Sequence, residues 1–197
     1  SGATYMDGTT DITRTYPLGP LTEDEKRFYT WTLQCHIDLA KAVWLDYCEC
    51  KMIDTIAREP LWRHLINYRC GTGHSVSFVG NVHEGPHALN SRNTTRMRPG
   101  MVVTDEPGVY ETDLVGIRIE NELVCVHKAD NQYGTFLGFE PIMFVPIATS
   151  PIVPGVLTKD ELDWLNNYHR QVFEKLAPRL NDEEREWLAK KCAAIGC

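Results

Sequence analysis

Two stretches in the first third of the chain place apolar residues at three- and four-residue intervals, which predicts two helices. The first helix should begin at Thr22, which can form a capping box with Glu25, and should run to about Trp44. The second helix should span residues 51–66, with a kink or a restart at Pro60, which has no amide hydrogen to donate. The positions predicted to face the core are Phe28, Trp31, Cys35, Leu39, Ala42, Met52, Ile53, Ile56 and Ala57.

Two further helices are predicted near the C-terminus. Thr158 opens the first and Asn181 opens the second, each with a glutamate three positions later. The apolar residues that these helices carry are Leu162, Leu165, Val172, Trp187 and Leu188.

Strands are predicted outside these helices. Residues 71–116 are rich in Gly, Asn, Ser and Pro, and short β-branched runs interrupt them at 76–82 and 101–104. Alternating or β-branched patterns predict three longer strands. These cover residues 5–15, 116–127 and 141–147.

The composition is that of a soluble globular protein. The 197 residues are 43% apolar and 24% charged, which fits one domain with a full core. The net charge of −7 argues against nucleic acid as a ligand, because proteins that bind nucleic acid concentrate Lys and Arg. No apolar run approaches the ~20 residues that span a bilayer, and no secretory signal pattern is present, so we expect no membrane contact and a cytoplasmic location.

The cysteine pattern favours reduced thiols. The seven cysteines form neither a paired secreted framework nor a zinc-ribbon spacing. They are at positions 35, 48, 50, 70, 125, 192 and 197. The Cys48-Glu49-Cys50 pair lacks the second half of a tetrahedral metal site.

Four side chains stand out as candidate metal ligands because of their local contexts and their order. They are Asp11, His74, Glu106 and Glu120. Each has an ordinary structural explanation when taken alone, such as a turn residue, a hydrogen-bonded loop histidine or an ion pair with Arg118. Together they offer carboxylates, one imidazole and no thiolate, which favours a divalent cation that promotes hydrolysis.

Five ordered motifs carry a resemblance to a known family. They are Asp-Gly-Thr-Thr-Asp-Ile-Thr-Arg-Thr at 7–15, Gly-Thr-Gly-His at 71–74, Asn-Val-His-Glu-Gly-Pro at 81–86, Thr-Asp-Glu-Pro-Gly at 104–108 and Gly-Ile-Arg-Ile-Glu-Asn at 116–121. With Phe-Glu-Pro at 139–141 and the segment 162–169, the chain closely resembles Xaa-Pro aminopeptidase, also called aminopeptidase P. The resemblance covers nearly the whole chain.

The resemblance implies a pita-bread fold, an α+β architecture shared with methionine aminopeptidases, prolidases and creatinases, with two metal ions in a central cleft. By motif position, Asp11 and Glu120 would bridge both ions, and His74 and Glu106 would be ligands of one of them. Residues 1–157 would form this domain, incomplete at its N-terminus. Residues 158–197 would form a helical extension packed on the same domain.

The resemblance also implies roles for residues near the metals. His83 would contact the substrate and stabilise the tetrahedral intermediate, although a loop histidine can instead cap local backbone. Glu106 would be the proton shuttle, and Arg118 would orient Glu120. Asp7 would lie near the site without matching a ligand position.

The sequence departs from the family pattern in three places. The family has an aspartate ligand immediately before Ser-Gly-Ala, whereas this sequence begins at Ser1, so it lacks one of five expected ligands. Cys70 stands in the substrate pocket where the family usually has a histidine, and a thiol cannot carry an imidazolium charge. Ser75 and Ser77 replace glycines and would narrow the approach to substrate if those positions needed positive φ.

The predicted function is a metal-dependent exopeptidase that uses metal-activated water to release an N-terminal residue preceding proline. Mn²⁺ is the favoured ion, with two per complete site, and Zn²⁺ and Co²⁺ are alternatives. The expected substrates are peptides with proline at the second position. We expect impaired turnover by this chain alone, and self-association or a complementing chain that covers its exposed apolar surface.

Two other functions remain open at this point. A prolidase-type dipeptidase would use the same ligands with a closed pocket for the substrate carboxylate. A non-catalytic pita-bread module would use the cleft to bind a peptide or a protein. The lengths of the peptides cleaved separate the first alternative, and metal content separates the second.

Overall fold

The computed structural model describes residues 2–196, in which helices and strands are mixed along the chain. The helices are α1 (Glu23–Ala40), α2 (Cys50–Trp62), α3 (Lys159–Leu176) and α4 (Asp182–Lys191), with a 3₁₀ turn at Ala177–Arg179. The strands are β1 (Gly2–Tyr5), β2 (Gly8–Asp11), β3 (Val43–Leu45), β4 (Gly73–Ser75), β5 (Glu84–Leu89), β6 (Val102–Asp105), β7 (Gly108–Glu111), β8 (Val115–Arg118), β9 (Asn121–Asn131) and β10 (Gly134–Pro141). None of the described helices is long and apolar enough to cross a bilayer.

Six antiparallel strands form the main sheet, in the order β3-β10-β9-β6-β4-β5. Strands β1 with β2 and β7 with β8 form two separate two-stranded ribbons. Strand β6 pairs with β9 so that Asp105 lies opposite Asn121, and it pairs with β4 so that Val103 lies opposite Ser75. This register brings together the ends of strands that come from distant parts of the sequence.

Two apolar clusters hold the helices on this framework. In the first, Leu39 of α1 and Ile53 of α2 pack with sheet residues such as Val103 and Leu123, all fully buried. The second joins α1 to α3 and α4. Its fully or almost fully buried members include Leu33, Ile37, Ile117, Ile119, Leu165, Val172 and Leu188.

Three predicted helix starts are confirmed. Thr22, Thr158 and Asn181 each accept from the amide three positions later, and the glutamate at that position accepts from the cap amide. Each capping box satisfies two amides that would otherwise lack partners. The cap pattern is local in sequence, so the position where each of these helices begins could be predicted.

The predicted ends of α1 and α2 and the predicted burial of Met52 were wrong. Helix α1 ends at Ala40, and residues near Trp44 form β3 instead. Helix α2 runs through Pro60 to Trp62 rather than to Ile66, because Leu65 adopts the left-handed conformation (φ 59°). Met52, which was predicted to face inward, is 49% exposed.

Three predicted strands differ in extent from those observed. Residues 5–15 contain the turn of a hairpin, in which Gly8 has a φ of 149°. The strand predicted at 116–127 is divided at Glu120, which pairs with Thr13. Residues 142–147 form no strand, since the side chains of Arg14 and His169 bind their backbone groups.

The predicted run at 101–104 corresponds to β6, but the run at 76–82 is a loop. Strand β5 follows this loop at Glu84–Leu89, in a Gly-Pro-containing segment that no strand pattern marked. Its pairing with β4 includes a register shift between His74 and Ser75. The position of β5 therefore follows from its pairing with β4 rather than from a strand pattern in its own sequence.

The six described cysteines are free, as their spacing predicts. Burial raises the pKa of Cys50 and that of Cys125 to about 11, so both thiols stay protonated near neutral pH. Cys197 lies outside the described residues.

His169 should make folding sensitive to acid. This side chain is fully buried, and its Nε2 accepts the amide of Ile147. Burial and the charge of Arg14 lower the pKa of His169 to about 4. Because an unfolded histidine titrates near 6.5, its stabilising contribution should be lost between about pH 6.5 and pH 4, by roughly 2–3 kcal/mol.

The variant His169→Gln keeps a side-chain acceptor but does not titrate in this range. Urea unfolding at several pH values should therefore show a smaller loss of unfolding free energy on acidification for this variant than for the wild type. His127→Gln, at an exposed position, is the matched control. Equal pH dependence of His169→Gln and the wild type would contradict this assignment.

Candidate metal centre

Asp11 ends strand β2 and is the first candidate ligand along the chain. Its amide donates to Glu122 Oε1 over 2.6 Å, which ties the end of the hairpin to β9. Its carboxylate oxygen Oδ2 lies 3.6 Å from His74 Nε2. The side chain is 20% exposed, so solvent reaches part of this carboxylate.

His74 is held by the close approach of β4 to β6. A Cβ at Gly73 would lie 1.8 Å from the carbonyl oxygen of Thr104, so only glycine fits there. The His74 amide then donates to Thr104 Oγ1 over 2.9 Å. His74 Nδ1 lies 3.1 Å from the carbonyl oxygen of Ser75, an acceptor, which places the proton of a neutral ring on Nδ1 and leaves the Nε2 lone pair free.

Glu106 follows β6 and faces the same imidazole. Its Oε1 lies 3.2 Å from His74 Nε2, and its Oε2 accepts from Arg118 Nη1 over 2.6 Å. Its amide donates to the carbonyl oxygen of Thr72 over 2.8 Å, which anchors it beside β4. Although burial opposes ionisation, the contacts with His74 and Arg118 hold the pKa of Glu106 below its usual value.

Glu120 lies between β8 and β9, opposite Thr13. The Thr13 hydroxyl donates to Glu120 Oε2, and the Glu120 amide donates to the Thr13 carbonyl over 3.0 Å. Its other oxygen, Oε1, is buried and has no hydrogen-bond partner among residues 2–196. Burial, followed by the charges of Glu106 and Asp11, raises the pKa of Glu120 to about 7.

These side chains converge on one point. Asp11, His74 and Glu120 each offer a ligand atom, and the three atoms lie within 4.8 Å of one another. Glu120 Oε1 has no hydrogen-bond partner among residues 2–196, and burial and the nearby carboxylates of Glu106 and Asp11 raise the pKa of Glu120, so a divalent cation would supply positive charge where these carboxylates meet. The residues therefore fit a metal centre built from oxygen and imidazole ligands.

Comparison with known proteins gives the family. A model of metallopeptidase family M24 matches residues 1–127, and a model of the C-terminal region of peptidase M24 matches residues 135–195. The chain belongs to metallopeptidase family M24. Its α+β structure is the pita-bread fold that the motifs predicted.

Relatives of the M24 chain include aminopeptidase P1 from Lotus japonicus, 43% identical over 100% of this chain and 30% of that protein. Aminopeptidase P2 from Arabidopsis thaliana is 45% identical over 95% of this chain and 27% of that protein. The chain thus spans about a third of the length of these relatives.

Two solved structures show the range of structural similarity. The X-prolyl aminopeptidase from Caenorhabditis elegans, described as a cytosolic enzyme with a di-nuclear active site, has a TM-score of 0.91 at 38% identity, over 98% of this chain and 32% of that chain. Prolidase from Pyrococcus furiosus has a TM-score of 0.60 at 29% identity, over 71% of this chain and 38% of that chain. The aminopeptidase superposes over more of the M24 chain.

His83 lies beside the candidate metal centre of the M24 chain. Its ring meets that of His74 edge-on, with 4.2 Å between the centroids. The side chain belongs to an exposed segment, unlike the four candidate ligands. This position leaves His83 free to reach a molecule in the cleft.

The prediction for Arg118 was wrong. Arg118 was expected to orient Glu120, but its Nη1 binds Glu106, and Thr13 provides the hydrogen bond to Glu120. Arg118 Nη2 also lies 3.5 Å from the sulfur of Cys70, which itself donates to the carbonyl oxygen of Gly108. Cys70 therefore contacts Arg118, which in turn contacts the candidate ligand Glu106.

The condition on which the predicted effect of Ser75 and Ser77 depended is not met. Neither Ser75 nor Ser77 has a positive φ. Both are buried and line a cavity of about 730 Å³, together with Asp7 and Glu122. They do not narrow the metal centre through backbone strain.

Sequence reasoning missed three residues that hold the ligands. Thr13 binds Glu120, Thr104 binds both His74 and Glu106, and Glu122 binds the Asp11 amide. Burial raises the pKa of Glu122 to about 7. Their nearness to the ligands in the motifs was a signal, but the partners of Thr13 and Glu122 are more than 100 residues away in sequence.

The variant Glu120→Gln should distinguish the effect of the Glu120 charge on metal affinity from its effect on the free energy of unfolding. The amide keeps an acceptor for Thr13 but loses the negative charge, so we expect Mn²⁺ affinity to fall by about tenfold or more. In the absence of metal at pH 8, the wild-type carboxylate is ionised in a buried position, so the variant should be more stable by about 2 kcal/mol.

Isothermal titration with Mn²⁺ and urea unfolding in the presence of a chelator measure the two effects. The exposed Glu140, which lies 3.6 Å from Lys128, provides the control variant Glu140→Gln. Unchanged Mn²⁺ affinity in Glu120→Gln would show that Glu120 is not a ligand.

Proposed function

We propose that the protein to which this chain belongs is a metal-dependent Xaa-Pro aminopeptidase. The observation that carries the proposal is the convergence of Asp11, His74 and Glu120, with Glu106 in contact with His74. The similarity to aminopeptidases P over the whole chain supports it. Peptides with proline at the second position are the proposed substrates.

Asp11, His74, Glu106 and Glu120 would hold divalent cations in this proposal. Three carboxylates and one imidazole, without a thiolate, favour Mn²⁺, and Zn²⁺ or Co²⁺ would also accept such ligands. Ions of this kind lower the pKa of water and polarise a carbonyl group when bound. We propose two ions for the complete site, by analogy with the di-nuclear relative.

The chain's own residues supply the remaining parts of the reaction. Glu106 is ionised, with its Oε2 bound to Arg118, so its Oε1 is the oxygen that is able to accept a proton in the cleft. His83, whose ring contacts that of His74, would donate a hydrogen bond to a substrate carbonyl. Cys70, which contacts Arg118, would line the substrate pocket in this proposal.

We also propose a cellular location, a domain organisation and contact points for this protein. We propose a cytoplasmic location, since the C. elegans enzyme is described as cytosolic. We also propose that residues 158–197 act as a helical extension of residues 1–157, because Leu165 and Val172 of α3 share a buried cluster with α1. Exposed Met6 and Phe78 are the proposed contact points for further chain or a second copy.

A peptide length series tests the substrate assignment. The protein expressed from its complete gene, loaded with Mn²⁺, should release the N-terminal residue from Xaa-Pro tripeptides and longer peptides, and should not cleave matched Xaa-Ala peptides. Chromatography of the products measures this. Cleavage confined to dipeptides would instead identify a prolidase-type dipeptidase, and metal binding without cleavage would identify a binding module.

Glu106→Gln tests the proton-transfer role in the same protein. We expect kcat to fall by about 10²–10⁴-fold, because the amide cannot accept a proton. The exposed Glu111→Gln in β7 is the matched control and should keep full activity. A kcat for Glu106→Gln within about twofold of the wild-type value would exclude general-base catalysis by Glu106.

A further inference from the structure

A buried polar network adjoins two of the proposed ligands. Asp105 immediately precedes Glu106, Asn121 immediately follows Glu120, and the two residues lie opposite each other in the β6–β9 pairing. His36 of α1 contacts both. Its Nδ1 lies 3.0 Å from Asp105 Oδ2, and its Nε2 lies 3.3 Å from Asn121 Nδ2. His36, Asp105 and Asn121 are all completely buried.

Arg14 fixes the orientation of the Asn121 amide and, through it, the tautomer of His36. A guanidinium can only donate, and Arg14 Nη2 lies 2.7 Å from Asn121, so the atom that faces it is the amide oxygen Oδ1. The Asn121 amide nitrogen therefore donates to His36 Nε2, which must be unprotonated. The proton of the neutral ring is then on Nδ1, directed at the carboxylate and carbonyl oxygens of Asp105.

The same arginine connects the network to Glu120 itself. Arg14 Nη1 donates to the Glu120 carbonyl over 2.5 Å, and the preceding residue, Thr13, binds the Glu120 carboxylate. Tyr168 of α3 completes the arrangement, since its hydroxyl lies 3.2 Å from Asn121 Oδ1 and accepts from Arg14 over 2.9 Å. The network thus contacts the backbone or a neighbouring residue of two proposed ligands.

Stability alone does not account for such an arrangement. Replacing a buried polar pair with apolar side chains of similar size is often neutral or stabilising, whereas directional polar contacts favour one geometry. Here the fixed geometry is that of the ends of β6 and β9, where Glu106 and Glu120 must face the same cleft.

We propose that His36 is a positioning residue for the metal centre: through Asp105 and Asn121 it holds the strand ends that carry Glu106 and Glu120 at the separation that a shared cation requires. The inference rests on the proposed function. His36 itself does not touch the cation or the substrate.

The double variant His36→Phe/Asp105→Leu tests this inference, because it removes the polar pair and keeps its approximate volume. The measurements are the Mn²⁺ dissociation constant of the 197-residue chain by calorimetry, and the visible absorption spectrum of bound Co²⁺, which reports ligand geometry. Circular dichroism and urea unfolding verify that each variant is folded under the conditions of the titration.

We expect the double variant to bind Mn²⁺ about tenfold or more weakly, and the shape of its Co²⁺ spectrum to change. Asp105→Asn keeps an acceptor for His36 Nδ1 and should bind within about twofold of the wild type. Gln34→Leu is the matched control: Gln34 is a buried α1 residue that donates to Glu161, so its loss should lower stability and leave metal affinity unchanged.

Metal binding by the double variant within about twofold of the wild type, with an unchanged Co²⁺ spectrum, would overturn the inference. A loss of Mn²⁺ affinity in Asp105→Asn as large as that in the double variant would also overturn the inference. The charge of Asp105, rather than its contact with His36, would then account for the loss of affinity. If the double variant does not fold, Tyr168→Phe decides: weaker Mn²⁺ binding supports the inference, and unchanged binding overturns it. A wild-type chain that binds neither ion overturns the proposed function and this inference together.

Discussion

The structure depends on one electrostatic constraint: carboxylates from separate segments face one another around a single imidazole. Without a cation, this arrangement is unfavourable, as the raised pKa of Glu120, about 7, and its unpartnered Oε1 indicate. The fold nevertheless keeps the side chains together. Such a concentration of unbalanced charge is typical of functional sites rather than of structural ion pairs.

Backbone contacts stabilise this arrangement against the repulsion between its carboxylates. The absence of a Cβ at Gly73 lets β4 approach Thr104, the Glu106 amide binds Thr72, and the Glu120 amide binds Thr13. Each contact places a ligand without using its carboxylate or imidazole. Hydrogen bonds from Thr104 and Arg118 orient Glu106, and Glu120 Oε1 keeps no hydrogen-bond partner among residues 2–196.

Local features could be predicted from the sequence, and features that depend on distant partners could not. The capping boxes at Thr22 and Thr158 gave correct helix starts because the atoms involved are three residues apart. The division of the predicted strand at Glu120 could not be foreseen, since its cause is the pairing with Thr13, 107 residues away.

The candidate site also combines features that could be predicted from the sequence with features that could not. The candidate ligands were predicted from ordered motifs, whereas Arg118 was assigned to a different carboxylate from the one that it binds, because two acids of similar sequence context compete for one guanidinium. Glu122 was missed because its partner is a backbone amide of the N-terminal hairpin. Motifs indicate the candidate ligands, but only the folded structure shows which residues hold each of them.

The most direct test of the proposed metal centre is a crystal structure of the chain soaked with Mn²⁺, with data collected at a wavelength where manganese scatters anomalously. An anomalous peak is expected between the carboxylates of Asp11 and Glu120 and the Nε2 of His74. A folded chain with Mn²⁺ in the crystal but no anomalous peak at that position would contradict the proposed metal centre.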